Sequence, residues 1–266
     1  MSDGISETID AFHRGRFHII QPKGRGHRAG MDAMLLASLV ADDRACRIAD
    51  LGAGAGAAGM AVAARLEKAQ VTLYERSPEM VQFARRSLEL PENAALSARV
   101  NVCEADVTLR AKARVAVGLP DDHFHHVIMN PPYNDAGDRR TPDALKAEAH
   151  AMTDGLFEDW IRTAGAIMVP GGQLSLISRP QSVAEIIAAC GSRFGGLEIT
   201  LIHPRPGEDA VRMLVTAIKG SRARLSFRAP LIMHETGSHA FTPFVDDLNN
   251  GRAAYSRNVR AIRTAS

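Results

Sequence analysis

The stretch that decides the fold is residues 46–59, CRIADLGAGAGAAG. A short apolar run, CRIADL, ends in an acid, Asp50, and three glycines follow at alternate positions: Gly52, Gly54 and Gly56. Beyond them AAGMAVAARLE (57–67) is rich in Ala, Met and Leu. This predicts a buried strand, a tight loop and a helix. Glycines without Cβ atoms let the loop turn sharply and bring its backbone close to a ligand. A literal G-x-G-x-x-G is present at Gly54, Gly56 and Gly59, and Glu75 follows Gly54 by 21 residues. That is the spacing expected of an acid that binds ribose hydroxyls, so NAD and other adenosine cofactors are both open at this stage.

Working outward, the same rhythm repeats. Further strands are predicted at 71–75, 100–104, 124–129, 173–178, 197–203 and 212–218. Helices are predicted at 31–40, 78–90, 156–167 and 182–190, the second with Pro78 near its first turn. Gly171-Gly172 is expected to separate the 156–167 helix from the strand after it. Strands alternating with helices imply βαβ units and a mostly parallel sheet. Only PRPGEDAV (204–211) joins the last two strands, too little chain for a parallel crossover, so the final strand must run antiparallel to its predecessor. The organisation expected is a basic N-terminal segment and short helix at 1–40 packed on a core at 41–220, with a C-terminal extension of that domain at 221–266. Residues 253–266 are expected to fray.

Composition narrows the function. The 266 residues carry 32 Lys and Arg against 30 Asp and Glu, which excludes a highly cationic nucleic-acid coat protein but leaves room for a basic patch. Three cysteines, none in a CxxC pair, exclude a disulfide scaffold and a cysteine-built zinc site. No apolar run reaches the roughly 18 residues of a membrane helix, and MSDGISETIDAF lacks a signal-peptide core. A cytoplasmic protein without membrane attachment is expected. The HFHH run (His123, His125, His126) is read as structural and not as a metal site, because successive strand residues face opposite ways.

Asp50 separates the cofactor alternatives. A carboxylate just before the glycines is hostile to a pyrophosphate and suited to an ammonium, which favours S-adenosylmethionine (SAM), a cationic sulfonium with an amino-acid tail and no phosphate. Asp106, after the 100–104 strand, would sit at the carboxyl edge of the sheet, where ligands of open α/β folds bind, and accept from an adenine amine. Asn130-Pro131-Pro132-Tyr133 follows strand FHHVIM. The Asn130 side-chain oxygen and the Pro131 carbonyl are two acceptors suited to one NH₂ group, and Tyr133 is suited to stacking on a planar substrate.

DLGAGAG, the strand-end acid and NPPY together resemble class I SAM-dependent methyltransferases that methylate amino nitrogens. GHRAGMDAMLLAS (26–38), IHPRPGEDAVRMLVTAIKG (202–220) and RARLSFRAPLIMHE (222–235) resemble the bacterial tRNA(Val) adenine-N6 methyltransferase family. The resemblance implies a Rossmann-like, seven-stranded sheet with an antiparallel last strand. It implies a SAM site at Asp32, Asp50, Gly52, Ala53, Gly54, Gly56, Glu75, Arg76 and Asp106. The amine and its carrier would be held by Asn130, Pro131, Pro132 and Tyr133, with no metal required. The expected substrate is an adenine in tRNA or another RNA. Cations at the N-terminus (His13, Arg14, Arg16, His18, Lys23, Arg25, His27, Arg28) with Arg139, Arg140 and Arg205 are candidates to track its phosphates. Competing readings are methylation of a protein glutamine, small-molecule O-methylation, and non-catalytic binding of SAM or RNA.

Overall fold

A computed structural model describes residues 6–23, 29–132 and 155–257. The chain opens with an antiparallel hairpin, β1 (Glu7–Phe12) and β2 (Phe17–Pro22). Helix α1 (Met31–Ser38) follows, with Asp32 in its first turn, where the helix dipole favours an acid. The repeating part then runs β3 (Cys46–Leu51), α2 (Ala57–Arg65), β4 (Ala69–Glu75), α3 (Pro78–Leu88), a short α4 (Ala94–Ser97), β5 (Val100–Glu104), α5 (Ala111–Ala116) and β6 (Phe124–Met129). After it come α6 (Leu156–Ile167), β7 (Met168–Ser178), α7 (Val183–Cys190), β8 (Phe194–His203) and β9 (Arg212–Lys219). The two-residue strands β10 (Ser226–Phe227) and β11 (Leu231–Ile232) and helix α8 (Pro243–Asn249) complete it. Ser77 caps α3 by accepting the Met80 N–H at 3.4 Å, with Pro78 in its first turn.

Among the described residues the main sheet has nine strands in the order β10-β8-β9-β7-β6-β3-β4-β5, with β11 also on β8. Seven of them form the expected core. The extra two are short additions, parallel to the outer side of β8. Strand β9 is antiparallel as expected, and it is wedged between β7 and β8, antiparallel to both. Strand β7 departs from the expectation by starting at Met168. Gly171-Gly172 lie inside it, beside a register shift between Phe124 and His126 of β6, because paired glycines tolerate the bulge as readily as a chain break.

Strands β3, β4 and β6 are buried on both faces, as parallel strands under helices are. One apolar cluster joins Phe17 and Ile19 of the hairpin, α1, α2, Ile48 and Val71, and takes in Val245 and Leu248 of α8. The other lies on the opposite face, built around Leu51, Tyr74, Met129 and α6. The hairpin, the repeating part and the C-terminal helix therefore share one core. The stretch expected to fray is tethered as far as it is described. The Tyr255 N–H donates to the Ser38 carbonyl at 2.8 Å, and Arg257 donates to Thr216 Oγ1 at 2.6 Å and pairs with buried Glu198 at 3.4 Å.

Candidate active site

Strand register assembles the site. Leu51 of β3 pairs with Met129 of β6 and with Tyr74 of β4, and Glu75 of β4 pairs with Glu104 of β5. One residue past those pairs, Gly52, Asn130 and Glu75 stand side by side at the carboxyl edge, on strands about 4.8 Å apart. Asp106 lies two residues beyond Glu104. Four sequence-separated motifs thus meet in a row, with Asn130 next to the glycine loop on one side and Glu75 on the other.

The loop is held by its own backbone. The N–H groups of Gly52 and Ala53 both donate to the Tyr74 carbonyl, at 2.8 and 3.0 Å, and Gly56 donates to Ala53 at 2.9 Å. Gly52 has φ +68°, and a Cβ there would lie 2.3 Å from the Trp160 ring, so only glycine fits. Glu75 braces the loop from the side. One carboxylate oxygen accepts the Gly54 N–H and the other the Ser77 N–H, each at 2.8 Å. A carboxylate offers about four acceptor sites, so both oxygens retain capacity for a diol. Arg76, beside it, is exposed.

Asp50 is placed differently from the expectation. It does not front the pocket: it is 2% exposed, and one oxygen accepts the Gly59 N–H at 2.8 Å. The last residues of β3 are sealed between the two helical layers, so a side chain there points into protein. Burial pushes the Asp50 carboxyl up to about 7, the Gly59 N–H opposing and the Glu75 charge adding to the rise. Phosphate is disfavoured here by another route. A pyrophosphate needs N–H groups at the helix N-terminus, and here Gly59 gives its N–H to Asp50 and Gly54 gives its own to Glu75.

Asp106 closes an Asx turn, its Oδ1 accepting the Thr108 N–H at 2.8 Å and the Thr108 hydroxyl at 2.7 Å. Pro131 is buried, and Asn130 and Pro132 are half-buried. Tyr133 lies outside the described residues, as do Arg25, His27, Arg28, Arg139 and Arg140. Asp32 accepts from Arg212 Nε at 2.8 Å, joining α1 to the first residue of β9 at the same edge. Among the described residues no His, Cys, Asp and Glu cluster could hold a metal, and no helix is long and apolar enough to cross a membrane. In the HFHH run, His126 faces Asp42 at 3.4 Å and His125 Nδ1 accepts the Arg47 N–H at 3.0 Å.

Three of the N-terminal cations are engaged within the fold. His13 is buried against Phe17, Arg14 pairs with Asp246 at 3.2 Å, and Arg16 donates to the Ala64 carbonyl at 3.0 Å. Sequence reasoning also missed the brace formed by α6. Besides Trp160 on Gly52, its Thr163 hydroxyl donates to the Val107 carbonyl at 2.7 Å, so one helix supports both the glycine loop and the Asp106 turn. A lone Trp in a helix gives no such signal. A shallow hollow of about 420 Å³ lies nearer the amino end of the sheet, lined by Thr72, Tyr74, Asn101, Cys103 and Pro120, away from this row.

The family model described as the methyltransferase small domain matches residues 28–199. The chain belongs to the methyltransferase small domain family. As a member of this family it is a SAM-dependent methyltransferase. A crystal structure described as that of a predicted O-methyltransferase, protein Atu636 from Agrobacterium tumefaciens, is 84% identical; the match covers 86% of this chain and all of that one, with a TM-score of 0.76. The tRNA1(Val) (adenine(37)-N6)-methyltransferase of Pedobacter heparinus is 26% identical over 77% of this chain and 83% of its own length. The release factor glutamine methyltransferase of Deinococcus radiodurans is 32% identical, over 53% of this chain and 49% of that protein.

Proposed function

We propose that this methyltransferase transfers a methyl group to the exocyclic N6 amine of an adenine in tRNA. The observation that carries the reading is the register: Asn130-Pro131-Pro132 begins one residue past the Leu51–Met129 pair, beside Gly52. Prolines fix the turn and present no N–H of their own. The Asn130 side-chain oxygen and the Pro131 carbonyl then accept the two amine hydrogens, which turns the nitrogen lone pair toward the glycine loop. Glu75 takes the ribose hydroxyls with the oxygen lone pairs that Gly54 and Ser77 leave over. Asp106 accepts from the cofactor's adenine amine. Asp32, steadied by Arg212, closes over the amino-acid tail, and Tyr133 stacks on the target base. Asp50 acts from beneath, holding the loop and the first turn of α2.

SAM, when bound, supplies a methyl group already activated by its positive sulfur. The protein's task is to align the nitrogen with it, and positioning of this kind accounts for about 7–11 kcal/mol of barrier in well-oriented reactions. An exocyclic amine attacks before it loses its proton, and the surplus proton then leaves the nitrogen to water, so no base is needed beforehand and the Asn-Pro-Pro turn offers none. O-methylation, the activity predicted for the Agrobacterium relative, wants a general base or metal when the acceptor is a hydroxyl that must lose its proton. An adenine in an RNA loop is already partly unstacked, which lowers the cost of presenting it. A tRNA substrate places the work in the cytoplasm.

Incubation of the protein with SAM carrying a labelled methyl group and unfractionated tRNA tests the reading, with mass spectrometry of the digested nucleosides. N6-methyladenosine is the expected product. Unlabelled tRNA alongside a labelled release factor in a parallel incubation, or label only on a hydroxyl of the tRNA, would refute it.

A further inference from the structure

The segment 219–228, KGSRARLSFR, holds Lys219, Arg222, Arg224 and Arg228 and no acid. It leaves the end of β9, runs along the outer side of β8 and becomes β10, so it forms the rim of the sheet. Its backbone is pinned tightly. Gly196 donates to the Ala223 carbonyl at 2.7 Å, and Arg228 donates to the Ile199 carbonyl at 2.8 Å. Gly195 admits this approach, since a Cβ there would stand 2.2 Å from the Ser221 carbonyl oxygen.

On this pinned backbone the side chains divide in two. Arg228 is anchored, stacked over Tyr255 at 4.3 Å and 3.8 Å from buried Glu198, and Lys219 pairs with Asp122 at 2.6 Å. Arg222 and Arg224 are exposed and make no side-chain hydrogen bond or ion pair among the described residues. Between them and Arg228, Leu225 is 38% exposed and Phe227 64% exposed. A large aromatic held in water beside uncompensated guanidiniums is the composition of a surface that tracks a phosphate backbone and stacks a base. Ala223 lies beside Gly196 near the amino end of β8, and from there β10 and then β11 run parallel to β8 toward His203 at the carboxyl edge, the edge that holds Asn130. Four strand steps separate β10 from β6, roughly 19 Å across the sheet at 4.8 Å per step, and the run of β8 from Gly196 to His203 adds roughly 23 Å along it at 3.3 Å per residue, a span that different nucleotides of one RNA cover.

We infer that the 219–228 segment is an RNA-binding rail, on which Arg222 and Arg224 hold phosphates and Phe227 stacks an unpaired base while another nucleotide of the same RNA reaches Asn130. The inference rests on the RNA reading above and supplies that substrate with a surface that His13, Arg14 and Arg16, engaged within the fold, do not offer.

The test uses the full chain and fluorescein-labelled unfractionated bacterial tRNA, with binding followed by anisotropy across a series of KCl concentrations. Replacing both arginines (R222A with R224A) is expected to make the slope of log affinity against log salt shallower by about 1.4, and to weaken binding about 25-fold at about 0.1 M salt, since each single-strand phosphate contact contributes about 0.7 to that slope. Phe227→Ala is expected to cost about tenfold at every salt concentration, as lost stacking does. Melting temperatures should stay at the wild-type value, because these side chains are exposed. Removing two exposed cations elsewhere, Lys68→Ala with Lys112→Ala, should leave the slope unchanged. Wild-type slope in the double arginine variant overturns the rail while the RNA reading stands. An equal effect from the lysine pair overturns it too, as a general charge effect. Loss of binding to anionic phospholipid vesicles, with tRNA affinity intact, reassigns the rim to a membrane and overturns the rail. If the wild-type protein neither binds nor methylates tRNA, the RNA reading fails and the rail falls with it.

Discussion

Replacing Asp50 with Asn removes a charge from the most enclosed part of the site and leaves the shape nearly unchanged. The carboxyl is raised from 3.8 to about 7 by burial, with one oxygen on the Gly59 N–H. An acid whose folded value is raised favours folding in its protonated form. That contribution is fully present below 3.8 and is lost as pH rises through about 7. At roughly 1.4 kcal/mol per unit, holding the charged form inside costs up to about 4 kcal/mol in alkaline solution. Asn stays neutral and keeps an oxygen for Gly59. The stability of D50N minus that of wild type should therefore rise with pH across this window, by up to about 4 kcal/mol. Urea unfolding of both proteins at several pH values, followed by fluorescence, measures it. Trp160 is the sole tryptophan and packs on Gly52, so it reports from the site itself. Taking the difference cancels every group common to the two proteins. A difference that stays flat with pH would refute the claim that Asp50 is buried as a titrating, charge-strained group.

Asn130→Ala should lower turnover by about 10²–10³-fold, the size of losing one positioned hydrogen-bond partner in a transition state, while calorimetric SAM affinity changes less than about threefold; equal losses in both would contradict the assigned role. Gly52→Ala forces a methyl group against Trp160 at a left-handed backbone position. It should cost about 1–3 kcal/mol of stability and weaken SAM binding, with an altered tryptophan emission; wild-type behaviour would show that the loop relaxes freely. His13 is pulled down to about 4, chiefly by burial, so its contribution is present above about 6.5 and lost as pH falls toward 4. His13→Asn, which tolerates the positive φ of 48°, should remove that part of the acid sensitivity in a pH-dependent melt.

The parallel core was readable because its signals are local. CRIADL, VNVCE and FHHVIM sit at the strand bounds the structure gives, and the short 204–211 link forced the antiparallel last strand. The β7 start was not legible, because Gly171-Gly172 reads as a break when only one strand is in view, and its bulge depends on the partner β6. At the site, the row of Gly52, Glu75, Asp106 and Asn130 followed from strand ends and known edge chemistry. The orientation of Asp50 did not, since a strand-end acid looks the same in sequence whether it faces the cleft or the helix behind it. Trp160, Thr163 and Arg212 were missed for a related reason. They act across roughly 50 to 180 residues of chain, and no spacing rule links a helix side chain to a loop that far away. The cations illustrate the converse. A run such as 13–28 stands out in sequence, yet the acids and carbonyls that occupy several of its members come from Asp246 and Ala64.

The wedge of β9 between β7 and β8 has a consequence during synthesis. As the ribosome delivers the chain from the amino end, β8 emerges with no neighbour to pair with, and β7 keeps an open side. Both are strongly apolar edges, the kind that invite pairing between molecules. They stay open until residues 212–219 have cleared the exit tunnel and slid into place. Nascent chains arrested between the two strands should therefore aggregate or engage chaperones, whereas those arrested a few dozen residues later should not.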